Sequence, residues 1–207
     1  MNILKNTAAV VVLASLFSQA YAVNAYVDQF ISFKDGSGNN ATALGNVSGS
    51  SAFYTVGAVN PALVTGAPVA GEWASLPQAY EAVYGFSNQQ ATGSLGIYSV
   101  ANGAHEVASI FGRLGSTASW TFIGKVTEGG GVGLGTQLAS LSLVGTGLSA
   151  VNQVMVRSQG SAGGSPGFDL MGIRGTGMVA APVPEPETYA LMGLGLVALM
   201  ARRRKRV

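Results

Sequence analysis

Cysteine is absent from the 207 residues. That excludes disulfides, thiolate metal sites and a cysteine nucleophile. There is a single histidine, His105, so no site can rest on two imidazoles. Charge is scarce, with Asp, Glu, Lys and Arg making up 10% of the chain, and it is unevenly placed. Five cations and seven anions lie between Val23 and Ala181, a net charge of −2, whereas Arg202, Arg203, Arg204, Lys205 and Arg206 form a run at the end. The basic balance of the whole chain belongs to that tail. A nucleic-acid binder needs a basic face on its folded body to neutralise phosphates, and this body has none to offer.

Apolar residues are plentiful at 48%, and glycine is common at 30 residues. The length suits one domain with signals at its ends. Without disulfides, that domain must be held by packing and backbone pairing.

The N-terminus reads as an export signal over residues 1–22. Lys5 supplies a positive start, and Thr7 to Phe17 is an apolar run. Ala20-Tyr21-Ala22 then gives the small-x-small pattern that signal peptidase accepts, which predicts cleavage after Ala22. At the other end, the 13 residues from Tyr189 to Ala201 carry no charge. As a helix they would cover about 20 Å of a hydrocarbon core of about 30 Å, a short transmembrane span helped by snorkelling cations. The five terminal cations act as a cytoplasmic stop under the positive-inside rule, which leaves the body on the far side of the membrane. Between body and span, Ala181-Pro182-Val183-Pro184-Glu185-Pro186 is barred from helix and inner strand by its prolines. It should be an extended spacer that a protease or transpeptidase cleft can bind.

Val183-Pro184-Glu185-Pro186, the continuation Glu187-Thr188-Tyr189-Ala190-Leu191, a short apolar helix and a terminal Arg cluster together resemble the PEP-CTERM sorting domain. The resemblance is confined to about residues 182–206. It implies a Gram-negative bacterium that makes extracellular polysaccharide, and processing near Pro184, Glu185 and Pro186 by an exosortase-like membrane enzyme. The product would pause at the inner membrane and then reach the cell surface or the biofilm matrix. A plain single-span anchor is the alternative, but such an anchor usually carries about 20 apolar residues.

Residues 23–181 show short apolar runs broken by turns. The runs are Ala25–Lys34, Ser51–Val59, Ser94–Ala101, His105–Leu114, Ser116–Thr127, Gln137–Val144, Val151–Arg157 and Phe168–Ala180. Gly, Asn and Ser separate them, which predicts an all-β domain of β-sandwich or jelly-roll type. Ser75 to Tyr84 competes as a short helix, with Ser75 as cap and Pro77 near its first turn.

Several motifs offer chemistry and fail on inspection. Gly163-Gly164-Ser165-Pro166-Gly167 has the nucleophile-elbow spacing. Its oxyanion donor would be Pro166, which has no N–H, and His105 precedes the serine. Gly145 to Ala150 has the G-x-G-x-x-A spacing of a dinucleotide loop, but a strand rather than a helix should follow, so it reads as a hairpin connection. Asp35-Gly36-Ser37-Gly38-Asn39-Asn40 is thin in carboxylates for calcium and reads as a turn. His105-Glu106 is a lone pair, and no two of the seven body acids stand out for acid–base work. No catalytic, cofactor or metal site is expected. Trp73, Trp120, Tyr54, Tyr80, Tyr84 and Tyr98 remain as rings that can either stack on sugars or fill a core.

The sequence thus predicts a non-enzymatic exported protein, structural or adhesive in an exopolysaccharide matrix. A carbohydrate-binding module is the alternative, and a secreted hydrolase ranks third.

Overall fold

The structure is a computed structural model that describes residues 24–46, 57–101, 105–129, 135–160, 167–181 and Leu194. The signal segment, the prolines of the sorting motif, the apolar span and the Arg-rich tail lie outside those residues, apart from Leu194. No helix among the described residues is long and apolar enough to cross a membrane.

The strands are β1 (Asn24–Tyr26), β2 (Gln29–Lys34), β3 (Ala43–Asn46), β4 (Gly57–Val59), β5 (Trp73–Leu76), β6 (Glu81–Gly85), β7 (Gln89–Ala91), β8 (Ser94–Ala101), β9 (Val107–Arg113), β10 (Thr121–Thr127), β11 (Gly135–Ser142), β12 (Gln153–Gly160), β13 (Phe168–Thr176) and β14 (Met178–Ala180). One sheet runs β11-β8-β13-β5-β3-β4, with β1 also on β13. A second runs β10-β9-β12-β6-β2, and β14 pairs β7. Every strand pairing is antiparallel.

Period-two alternation builds the core. In β8, Leu95 and Ile97 point inward, and in β13 Phe168, Leu170 and Ile173 do so from the same sheet. Opposite them stand Ile110 of β9, Val154 and Val156 of β12, and Ala82 and Tyr84 of β6. All of these side chains are fully buried. Two sheets facing across one apolar layer define a β-sandwich, as the strand spacing predicts.

The helix expected over Ser75–Tyr84 is not formed. Ala74 and Leu76 bury against the core from β5, and Ala82 and Tyr84 do so from β6; such a period of two fits a pleated strand and not a helix. Between them the amide of Tyr80 donates to the carbonyl of Pro77 at 3.0 Å, and Ala79 takes a left-handed φ of 66°. Paired neighbours on both edges of β6 outweigh the local helix preference of this segment. The connection at Gly145–Ala150 also differs from expectation. It is no hairpin, because β11 and β12 belong to different sheets and the chain crosses between them. Gly145 and Gly147 supply the positive φ values, 87° and 82°, that this crossing uses.

Gly167 enters β13 at a φ of 144°, and a Cβ there would lie 1.8 Å from the carbonyl oxygen of Leu76. Phe168 pairs with Leu76 at this point. Gly167→Ala therefore breaks the start of the β13–β5 ladder, with an expected loss of about 2–4 kcal/mol. Urea denaturation of the purified variant checks this; an unchanged midpoint would contradict it.

Candidate functional site

Three acids far apart in sequence meet in the structure. Glu106 precedes β9, Glu128 follows β10, and Asp169 is the second residue of β13. Each is buried, at 1%, 0% and 5% exposure. One carboxylate oxygen from each lies within 4.8 Å of the others.

Local structure explains the convergence. His105 adopts a left-handed φ of 52°, a conformation histidine visits more readily than most residues, and this turns the chain into Glu106. The amide of Glu128 donates to the carbonyl of Glu106 at 2.8 Å, one rung beyond the β9–β10 ladder. Both acids are thereby fixed at one end of the second sheet. In the first sheet, β8 pairs with β13 only from Leu170 onward. The amide of Asp169, just before that pairing begins, donates instead to Glu128 Oε1 at 2.6 Å. The hydroxyl of Ser75 on β5 donates to Asp169 Oδ1. Glu128 Oε2 is buried and accepts from no N–H or hydroxyl among the described residues.

Loss of water is the largest influence on Glu128 and Asp169. It pushes Glu128 up to about 9, helped by the charges of Asp169 and Glu106 and by a side-chain hydrogen bond with Glu106, and opposed by the Asp169 amide. It pushes Asp169 up to about 7, opposed by the Ser75 hydroxyl. The set has only oxygen donors, which suits a hard cation and no thiolate- or imidazole-seeking metal.

Nothing in the residue order singles out this triad, since its members are 22 and 41 positions apart. The one local hint, His105-Glu106, reads as an ordinary surface pair, yet Glu106 is buried. The calcium-like loop at Asp35 is a turn, as expected. Asp35 Oδ1 accepts from the amides of Ser37 and Asn39, both at 2.9 Å, and these bonds hold its carboxyl below the usual range. Gly167 of the G-x-S-x-G stretch is described, and its other four residues are not.

The rings divide. Tyr84 is core, its hydroxyl donating to the Pro61 carbonyl at 3.0 Å. Trp73 is buried with Val100 and Met171, and Tyr80 packs edge-on to Phe33. Tyr54 lies outside the described residues. Trp120 and Tyr98 remain partly exposed. Trp120 stacks under Arg113, whose guanidinium is 4.2 Å from the ring centroid. Composition drew no attention to Phe122, which is 50% exposed. It meets Phe111 edge-on, with centroids 5.6 Å apart, and Arg157 covers Phe111 from another side. Register places Phe122, Phe111, Met155 and Val83 side by side on the outer face of the second sheet.

Residues 182–205 match the family model described as the PEP-CTERM protein-sorting motif. The match covers Pro184, Glu185, Pro186 and the cations up to Lys205, and it leaves the body outside. An exported protein destined for the cell surface is what this motif implies. No curated protein matches the chain. Among solved structures, the body is similar to chitosan-binding module 2 of a chitosanase/glucanase from Paenibacillus sp. IK-5, at 16% identity and a TM-score of 0.39, over 54% of this chain and 82% of that one. It is similar to a truncated AlyQ with CBM32 and alginate lyase domains, at 13% identity and 0.43, over 78% and 34%. A third likeness is to the C-terminal CBM6 of LamC, a marine laminarinase from Zobellia galactanivorans, at 13% identity and 0.37, over 74% and 97%. Likenesses this distant carry no functional argument.

The sign of the pH dependence follows from the triad. In the unfolded chain Glu128 releases its proton near 4.5, but in the folded chain only near 9. Between those values the folded state holds a proton that the unfolded state has lost, so raising the pH favours unfolding. Asp169 adds to this between 3.8 and about 7. In metal-free buffer the melting temperature should therefore fall by several degrees from about pH 5 to about pH 9, and Glu128→Gln should flatten the upper part of the fall. A wild-type melting curve that is flat or rises over this range would contradict the assignment.

Proposed function

We propose that this protein is a non-enzymatic β-sandwich that an exosortase-like enzyme delivers to the cell surface or the extracellular polysaccharide matrix, where its role is structural or adhesive. The observation that carries this reading is the sorting motif over residues 182–205. Signal peptidase removes residues 1–22, and the apolar stretch with its five cations then holds the chain in the inner membrane. Pro184 and Pro186 keep Glu185 extended for a cleft that pairs with backbone. A body without disulfides and with few charges suits a packed, uncharged matrix component.

The test is the intact mass of the product from cells that carry the processing enzyme. Wild-type protein should be shortened at both ends. The double variant Pro184→Ala, Pro186→Ala should stay in the membrane fraction at a higher mass. Equal release and equal mass of the two proteins would overturn the sorting role.

A second reading, glycan binding, is favoured by the outer face of the second sheet. Exposed Phe122 beside Phe111, with Trp120 under Arg113, offers ring faces flanked by guanidinium donors. Sugar rings stack on such faces and hydrogen-bond to such edges. Phe122→Ala with Trp120→Ala should cut retention on the producer's own polysaccharide about tenfold, the equivalent of one good stacking contact. Unchanged retention would remove this reading. Trp73 is not a suitable probe, because its loss opens a packed cluster.

A further inference from the structure

We propose that Glu106, Glu128 and Asp169 bind one calcium ion, which ties the end of the β9–β10 pair to the start of β13. The donor atoms are already gathered. The three donor atoms lie within 4.8 Å of one another, and oxygens about 4.0–4.5 Å apart share a centre at the roughly 2.3–2.6 Å that calcium uses. Three carboxylates offer up to six oxygens, within the six to eight that calcium takes. Glu128 carries the second, separate sign of a ligand. Its Oε1 accepts the Asp169 amide, while its Oε2, on a side chain with 0% exposure, meets no N–H or hydroxyl donor among the described residues and faces the other acids of the triad. Burying such a carboxyl group is costly, and a cation that displaces its proton supplies the missing partner.

Chemistry selects the ion. With no sulfur or imidazole in the set, zinc and copper are disfavoured. Magnesium sheds water reluctantly and demands near-octahedral geometry, whereas this triad is closed to solvent. Calcium accepts irregular, largely protein-made coordination. The polypeptide around the site is firm where it matters: Ser75 holds Asp169, and the Glu128 amide is fixed on the Glu106 carbonyl. The ion would cross-link three segments in a chain with no cysteine to form a disulfide between them. An exported protein meets calcium at concentrations that fill weak sites, so export supplies the ion; the binding test itself does not depend on that reading.

The experiment uses the full-length chain in mild detergent, stripped with EGTA and desalted at about pH 7.5. Calcium chloride is titrated while thermal unfolding is followed, and native mass spectrometry counts retained ions. The expected result is a saturable rise in melting temperature of several degrees, half complete on the order of 10⁻⁴ M, with one ion per chain. Glu128→Gln and Asp169→Asn should abolish the rise while their metal-free melting temperatures stay at or above wild type, because Gln keeps the neutral state that burial already imposes on Glu128 and Asn removes a buried acid. No rise and no retained ion in wild type would overturn the proposal, as would an undiminished response in both variants. If the variants fail to fold, hydrogen exchange on wild type decides. Calcium should slow exchange at the amides of Glu128 and Asp169; slowing confined to other segments, or none, overturns the site.

Discussion

Burial of one apolar layer between two antiparallel sheets is the constraint on which the rest of the molecule depends. β13 is central to it. Phe168, Leu170 and Ile173 face the core, and the strand pairs with β8 on one edge and shares the other between β5 and β1. With no disulfide available, this packing and the ladders around it must offset the chain's conformational entropy alone. The close approach at Gly167, where the backbone runs against the Leu76 carbonyl, follows from the same demand, because β5 and β13 must pair while both present their apolar sides inward.

The carboxylate triad is a cost imposed on that architecture. Burying Glu106, Glu128 and Asp169 together opposes the hydrophobic gain nearby, and the Asp169 amide and the Ser75 hydroxyl offset part of that cost. Either protons or a cation must balance them, and the choice between these couples the stability of the body to its surroundings. The location strengthens this coupling: the triad sits where β8 has not yet joined β13, and there Glu128 accepts the Asp169 amide.

Much of the architecture was legible in the residues. Ser94–Ala101 was read as a strand with the same bounds as β8, and β9, β10, β12 and β13 fall within or close to their expected runs. These segments have clear alternation and glycine or asparagine stops, and both are local properties. The Ser75–Tyr84 segment was harder, because its cap and proline pattern favours a helix locally. The deciding fact, that β6 has a partner on each edge, is not local. The same holds for the rings: nothing in the sequence separates core Tyr84 from half-exposed Phe122, since both lie in alternating strands whose facing depends on the sheet they join.

The sequence by itself determined the sorting motif over residues 182–205, because such a signal is linear. Its prolines, apolar run and terminal cations are recognisable from their order, without any long-range contact. It also determined the all-β class, since period-two patterning acts through neighbouring residues. Only the tertiary structure decided that the link after β11 crosses between sheets, which face of the second sheet carries Phe122 beside Phe111, and that Glu106, Glu128 and Asp169 share one dry site. Those outcomes depend on which strands meet across long stretches of chain, and contacts of that kind are fixed by cooperative packing rather than by any segment alone.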